Sequence, residues 1–164
     1  MELNQVDPES PDARRCLAAY VCELNRRAPR RGFDPRQGAT AEPHEVRPPH
    51  GAFVVAYLDG EAVGCGAVKH HPQHVSDIKR MWVAEAARGQ GLGRRLLAHL
   101  EDLAREHGST HVRLETNDVL REAIALYRSA GYLEVDRFNA EPFADRWFAK
   151  PLDPPPLAAI VPEP

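Results

Sequence analysis

The chain has 164 residues, of which 43% are hydrophobic and 27% charged, and its formal net charge is -3 at pH 7. These values fit one soluble globular domain with its own core. They exclude a general attraction to nucleic acid or to an anionic membrane surface, and no apolar run is long enough to span a bilayer. The acidic amino-terminal segment lacks the apolar centre of a secretory signal, so we expect a cytoplasmic protein.

The first half of the chain predicts one helix and an antiparallel meander of strands. The helix places Leu17, Ala18, Val21 and Leu24 on one side. Asp59-Gly60 favours a two-residue hairpin turn, and we expect a second turn over residues 70–76. The predicted elements, in chain order, are a short strand at 3–6, a helix at about 12–27, an irregular loop at 28–50, and strands at 53–58, 62–69 and 77–83.

The second half predicts helices that alternate with strands. Leucines at helical spacing predict an amphipathic helix at about 93–107, which Gly108 ends. A strand at 111–116 follows, so the intervening helix makes a crossover and part of the sheet is parallel. Asn117 or Asp118 is expected to cap the next helix. That helix carries Leu120, Ile124, Tyr127 and Ala130 on one face, and strands follow at 132–138 and 146–150.

These elements predict an α/β fold with an antiparallel meander, a parallel pair and helices on both faces of a mixed sheet. We expect residues 1–150 to form one domain. Residues 151–164 contain six prolines and are expected to form a disordered tail.

Three glycines, Gly89, Gly91 and Gly93, alternate between a predicted strand and a predicted helix. Glycine allows a tight turn and a close approach of the backbone to a ligand. The first turn of a helix has N–H groups without intrahelical acceptors, and together with the helix dipole they favour an anion. The pattern predicts a phosphate-bearing ligand, with Arg88 and Arg94 adding positive charge at the rim.

Two other phosphate-binding motifs do not fit this spacing. The dinucleotide fingerprint requires a third glycine where Arg94 or Leu96 stands, and no Gly-Lys-Ser/Thr sequence is present. A tight turn without any ligand is the alternative for a lone glycine-rich loop.

Residues around this loop resemble those of a known family. Arg88-x-x-Gly91-x-Gly93, preceded by the segment 77–83, resembles the acetyl-CoA motif of the GNAT superfamily of N-acetyltransferases. Asn117 followed by residues 123–132 resembles the second cofactor segment of that family. The resemblance covers about residues 51–150 and implies a GNAT-like mixed sheet whose central parallel pair splays apart to admit the pantetheine arm.

The resemblance also implies which residues contact acetyl-CoA and which act in catalysis. Backbone contacts to pantetheine would fall at Met81, Trp82 and Val83, and the pyrophosphate would meet the amides of Arg88, Gly89, Gln90, Gly91, Leu92, Gly93 and Arg94.

Four side chains are candidates for the chemistry. Tyr127 matches the position of a tyrosine near the cofactor sulfur, or else is a core aromatic. Asp77 matches a glutamate base of some members, but it is one methylene shorter, so a water between it and the amine could be needed. Glu115 is a second candidate for that role. Asn117 is either a helix cap or a cofactor contact, or both.

Other conspicuous residues favour ordinary interpretations. His70, His71 and His74 lack a second half-site, so we predict no metal. Cys16, Cys22 and Cys65 are expected to be reduced, buried thiols. The basic run of Arg26, Arg27, Arg30, Arg31 and Arg36 predicts a solvated face, with attraction of an acidic acceptor as the alternative.

The sequence therefore predicts transfer of an acetyl group from acetyl-CoA to a primary amine of a small molecule. The alternatives are an enzyme that acts on protein or peptide amines, and a non-catalytic acyl-CoA-binding regulatory module. Its partners would be acetyl-CoA and the amine acceptor. The sequence does not determine the oligomeric state, and a homodimer stays open.

Overall fold

The computed structural model describes residues 1–34 and 41–153. Within these residues the chain forms seven strands and three α-helices. The strands are β1 (Glu2–Val6), β2 (Gly51–Leu58), β3 (Glu61–His71), β4 (Val75–Val83), β5 (His111–Thr116), β6 (Leu133–Val135) and β7 (Arg146–Pro151), and the helices are α1 (Pro11–Arg27), α2 (Leu92–Glu106) and α3 (Arg121–Ser129). Short 3₁₀ turns lie at Pro43–Val46 and Glu85–Ala87.

The described strands form one mixed sheet in the order β1-β2-β3-β4-β5-β7-β6. The predicted meander is confirmed, because β1 to β4 pair antiparallel in sequence order. The predicted turn at 70–76 was too long, since β3 continues to His71 and β4 starts at Val75. The predicted strand at 132–138 is likewise shorter, at Leu133–Val135.

The parallel pair consists of β4 and β5, and it is short. Three residue pairs connect the two strands, and the last of them is Asp77 with Arg113. Beyond this pair β4 continues to Val83 and β5 to Thr116 with no pairing between them in the described residues. The two strands therefore splay apart, and each presents an edge to the opening.

The two faces of the sheet are covered by different helices, as predicted. On one face, α2 and α3 pack against alternate strand residues; this core contains Val54, Val68, Ile78, Leu96, Leu100 and Tyr127. On the other face, Ala13 and Cys16 of α1 pack against Phe53, Val55 and Ala67. Residues 53, 54 and 55 point alternately to the two covered faces of the sheet, because successive side chains of a strand point to opposite faces.

Two helix predictions need correction. Ala18 of α1 is exposed, whereas Ala13, Cys16, Glu23 and Leu24 are buried. The cap residue of α3 is Leu120, and no side chain caps that end, so Asn117 and Asp118 do not cap it.

A β-bulge distorts β4 at the start of the opening. Cys65 pairs with Trp82 and Ala67 pairs with Lys79, so Arg80 and Met81 together face the single residue Gly66. Arg80 has φ of 56°, in the left-handed region. A bulge bends its strand and redirects the side chains that follow it. Here it places Met81 against the α2 face and Trp82 against the α1 face.

The ends of the predicted domain are only partly described. β7 continues to Pro151, and Leu152 is buried with its amide bonded to the Thr110 carbonyl at 2.8 Å. Ordered structure therefore extends two residues beyond the predicted boundary at residue 150. The remainder of the predicted tail, from residue 154, lies outside the described residues, as does Arg36 of the basic run.

Candidate active site

The glycine loop leads from β4 into α2 and leaves amides at the helix start without partners. Gly89 and Gly91 have φ of 78° and 77°, which other residues adopt only with strain. The Arg95 amide donates to the Gly91 carbonyl at 3.1 Å, as expected for the first bond of the helix. Among the described residues, the amides of Leu92, Gly93 and Arg94 have no such acceptor. This end of the helix therefore offers an anion a set of N–H donors.

The two arginines beside the loop have different surroundings. Arg88 Nη2 lies 2.7 Å from both carboxylate oxygens of the buried Glu23. Arg88 Nε also donates to the Val83 carbonyl at 3.0 Å. The Arg88 side chain thus joins the loop to α1 and β4. Arg94 is exposed, and its Nη2 lies 2.6 Å from Ser129 Oγ, so its charge faces the entrance.

A cleft of about 290 Å³ connects the glycine loop with the splayed edge of β4. Met81, Trp82 and Val83 line it together with Gly89, Gly91 and Gly93. The Val83 carbonyl faces this opening, because the Ala84 amide of the same peptide unit donates in the opposite direction, to Val63 O at 2.8 Å. Trp82 Nε1 is buried and has no hydrogen-bond partner among the described residues.

A second, smaller cavity of about 100 Å³, which we call the inner cavity, lies between β4 and β5. Tyr20, Met81, Leu120 and Tyr127 line both this cavity and the loop-side cleft. Tyr127 is buried and packs against Tyr132 and Phe148, with ring centroids 5.8 and 6.3 Å away. Burial raises the pKa of the Tyr127 phenol, so its hydroxyl stays protonated at neutral pH. Tyr127 is therefore a neutral donor at the junction of the two spaces.

The carboxylate candidates occupy different positions in this opening. Glu115 lines the smaller cavity, and its Oε1 lies 2.5 Å from the buried Lys79 Nζ. Asp77 does not line that cavity; its oxygens lie 2.7 Å from His71 Nε2 and 2.8 Å from Arg113 Nε. It lines a third cavity of about 430 Å³, whose walls include residues 138–142. Asn117 lines the smaller cavity rather than the loop-side cleft.

Two residues of the site were missed by the sequence analysis. Glu141, in the segment between β6 and β7, is 8% exposed and lines both the second and the third cavity. No periodic pattern surrounds it, so the sequence held no signal for its role. Tyr20 follows Leu17 and precedes Leu24 at helical spacing, and that spacing could have placed it on the inner side of α1. Burial raises the pKa of Tyr20 to about 12.

A family model connects this geometry with a known class of enzymes. Residues 18–132 match the model described as "Acetyltransferase (GNAT) family". The chain belongs to the GNAT acetyltransferase family. It is an acyl-CoA N-acetyltransferase, and members of this family use acetyl-CoA. The match includes the glycine loop, both splayed strands and α3, so the predicted resemblance is confirmed.

Individual relatives agree with this assignment. The acetyltransferase is 39% identical to the IAA acetyltransferase of Azospirillum brasilense over 113 residues, and this aligned region covers 68% of this chain and 67% of that relative. It is 33% identical over 149 residues to the uncharacterized N-acetyltransferase YjgM of Escherichia coli (strain K12), covering 82% and 89%. A GNAT-family acetyltransferase structure from Staphylococcus aureus Mu50 has a TM-score of 0.78 at 19% identity, covering 93% of this chain and 100% of that one. This last likeness concerns the fold.

The described residues fit acetyl-CoA at the predicted position. The unpaired amides at the start of α2 can receive a pyrophosphate, and a Cβ built on Gly89 or Gly91 would meet no protein atom within 4 Å, so both glycines face open space. The cleft then passes the unpaired edge of β4 on its way to Tyr127. The site thus supplies anion donors at one end and a hydroxyl at the other.

Other conspicuous residues are engaged elsewhere. His70, His71 and His74 contact three different partners, namely Ser76, Asp77 and the Gly108 carbonyl. The described residues contain no group of side chains arranged for a metal ion. Within the same part of the chain, no helix combines the length and apolar character needed to cross a bilayer.

The basic run and the three cysteines differ in part from the sequence predictions. Arg27 of α1 contacts Glu122 of α3, and Arg31, which follows α1, has its Nη1 2.7 Å from Asp145 Oδ2. These two members of the basic run are therefore paired with carboxylates. Cys16 and Cys65 are buried as predicted, but Cys22 is exposed, because it lies on the outer side of α1.

Proposed function

We propose that this acetyltransferase transfers the acetyl group of acetyl-CoA to a primary amine of a small molecule. The observation that supports this is the meeting of two cavities at Tyr127, one lined by the glycine loop and the other by Glu115 and Glu141. An acyl donor in the first space and an amine in the second would have their reacting groups beside the same hydroxyl. We assign residues 1–150 to this activity.

The chain's own groups would divide the work as follows. The amides from Gly89 to Arg94 hold the pyrophosphate, whereas the predicted contact at the Arg88 amide is replaced by its bond to the Glu85 carbonyl at 3.2 Å. The edge formed by Met81, Trp82 and Val83 positions the pantetheine arm. Acetyl-CoA supplies the acetyl thioester. The Tyr127 hydroxyl donates a hydrogen bond to the negative charge that develops on the departing sulfur. Asn117, Asp77 and Glu115 line the spaces that would receive the acceptor and would help to orient it there.

The size of the inner cavity favours a small acceptor. A space of about 100 Å³ accommodates an amine and a few further atoms. Relatives point in the same direction, because one of them is named an IAA acetyltransferase. We therefore place small-molecule amines ahead of polypeptides.

The test is acetylation of a broad library of small amines and peptides, with products detected by mass. We expect products from small primary amines and a thermal shift of the protein with acetyl-CoA. A ligand at about a hundredfold above its dissociation constant stabilises the fold by roughly 2.7 kcal/mol.

Three results would contradict the proposal in different ways. Products from peptides alone would indicate a protein N-acetyltransferase. A thermal shift without any product would indicate a non-catalytic acyl-CoA-binding module. No shift for the folded protein would overturn the acetyl-CoA assignment itself.

A further inference from the structure

Glu141 has a carboxylate oxygen that nothing in the described structure uses. The residue is 8% exposed, and its Oε2 is buried without a hydrogen-bond partner among the described residues. Leaving a buried acceptor unsatisfied costs about 1–3 kcal/mol, and more for a charged group. A carboxylate kept in that state is suited to a donor that arrives from outside the chain.

The position of Glu141 identifies where that donor would lie. Glu141 and Lys79 line both the inner cavity of about 100 Å³ and the neighbouring cavity of about 430 Å³. Glu141 therefore contributes to the walls of both the space beside Tyr127 and a larger space able to hold the body of an acceptor. Glu141 and Tyr127 both line the inner cavity, so a ligand group bound there has both side chains in its walls.

A second buried acceptor belongs to a residue that lines the same inner cavity. Asn117 is 4% exposed, and its Oδ1 also has no partner among the described residues. Two unpaired acceptors favour a ligand with several N–H donors, and a primary ammonium has three. Glu115, by contrast, already accepts hydrogen bonds from Lys79 Nζ and Asn139 Nδ2.

We propose that Glu141 binds the ammonium group of the acceptor through Oε2 and accepts its proton, which makes Glu141 a catalytic residue. This inference rests on the proposed acetyltransfer to a primary amine. One N–H bond of the ammonium breaks, and its proton goes to Glu141. The neutral amine then forms the bond to the acetyl carbon as the carbon–sulfur bond breaks. The remaining surplus proton on nitrogen leaves with the thiolate, and Glu141 returns its own proton to solvent.

The electrostatic surroundings suit a proton acceptor. Burial raises the pKa of the Glu141 carboxyl, and the Glu115 carboxylate raises it further, whereas Lys79, the Phe143 amide and Arg80 act in the opposite direction. A raised pKa brings a carboxylate nearer to the pH at which it can exchange a proton. The titratable or charged groups around both cavities are Tyr20, Asp34, Lys69, His71, Asp77, Lys79, Arg80, Arg113, Glu115 and Tyr127.

The experiment compares the parent with Glu141→Gln, using an aliphatic amine acceptor from the library screen. We expect kcat/KM to fall by about 10²–10⁴. The acidic limb of its pH profile should move to higher pH, toward the pKa of the acceptor amine, because without Glu141 the variant depends on acceptor that is already neutral in solution. The affinity for acetyl-CoA, measured by calorimetry, should not change. Glu106→Gln, an exposed carboxylate on α2, is the matched control and should behave as the parent.

A second acceptor separates proton transfer from a structural effect. An arylamine or hydrazide is already neutral at the assay pH, so it does not need the proton acceptor. We expect Glu141→Gln to acetylate this class within about tenfold of the parent. Glu141→Asp keeps the charge and should retain the acidic limb at reduced rate, which covers the case in which the glutamine variant does not fold.

The outcomes are distinct. A parental rate and profile in Glu141→Gln would overturn the role of Glu141, as would equal losses with both acceptor classes. Failure of the parent to acetylate any amine would instead overturn the proposed function, whatever the variants do.

Discussion

Asp77 and Arg113 form the last residue pair between β4 and β5, and their side chains form an ion pair in which Arg113 Nε lies 2.8 Å from Asp77 Oδ1. His71 Nε2 lies 2.7 Å from the other oxygen of Asp77. The guanidinium of Arg113 also lies 4.3 Å from the centre of the Phe138 ring. These contacts hold the two strands together at the point from which they diverge, so they help to set the width of the opening.

Asp77→Asn should therefore act mainly on stability and geometry. We expect it to lower the free energy of unfolding by about 1–3 kcal/mol, because Asp77 accepts two hydrogen bonds from groups that can carry charge. Denaturant unfolding measures this, with the exposed Asp102→Asn as a control expected within about 0.5 kcal/mol of the parent.

The same variant should turn over more slowly but keep its acidic limb, since we place the proton acceptor at Glu141. An upward shift of that limb in Asp77→Asn would assign proton transfer to Asp77, as the family resemblance implies. Glu115→Gln tested alongside would show whether Glu115 has that role.

Gly91 and Gly108 offer a matched pair at the two ends of α2. Their φ values are 77° and 95°, and a Cβ at either would meet nothing within 4 Å. Alanine at each position should lower stability by a similar amount, about 1–2 kcal/mol, because of the left-handed backbone. Only Gly91→Ala should also weaken acetyl-CoA binding, by at least about tenfold, since it adjoins the unpaired amides. If calorimetry finds equal affinity for acetyl-CoA in both variants, the glycine loop is only a tight turn and does not bind acetyl-CoA.

Tyr127→Phe should slow the chemical step by about 10²-fold without weakening acetyl-CoA binding, because one well-placed donor to developing charge is lost. Single-turnover kinetics at saturating acetyl-CoA measures this step. Tyr132→Phe is the control, since its hydroxyl donates to Glu101 Oε1 at 2.9 Å and lines none of the three cavities. It should lower stability and leave the step unchanged. If Tyr127→Phe also matches the parent, Tyr127 is a core aromatic.

His70 should make the fold sensitive to acid. Its ring stacks on His107 with centroids 3.7 Å apart, and burial together with His107 lowers the pKa of His70 to about 4 from 6.5. The folded state thus favours the neutral ring. The stabilisation is fully present above pH 6.5 and is lost as the pH falls toward 4.

His70→Gln tests this linkage, because glutamine does not titrate. The unfolding midpoint of the parent should fall more steeply between pH 6.5 and 4 than that of the variant. The exposed His50→Gln should keep the parental slope. Parallel slopes in all three proteins would contradict the role of His70.

Local pattern was enough to predict most elements of this fold. The leucines of α2 and the apolar face of α3 follow the helical period, and β2 is a continuous apolar run whose first six residues are all buried. Where prediction failed, a distant contact decided the outcome. The strands β3 and β4 continue to His71 and Val75 because pairing with each other satisfies their backbone groups. Asn117 does not cap α3; it lies three residues before the cap residue Leu120, and it lines the inner cavity.

The sequence by itself determined the family, the crossover and the glycine loop, because each depends on residues adjacent in the chain. Only the tertiary structure decided which carboxylates line the cavities beside Tyr127. Glu141 lies in an irregular segment 26 positions after Glu115, and its burial depends on β6 and β7 folding back beside β5. Asp77 is likewise held by Arg113, and Arg88 by Glu23, and in both pairs the partner lies far away in the sequence. Burial and charge pairing are properties of assembled surfaces, and the order of residues along the chain does not contain them.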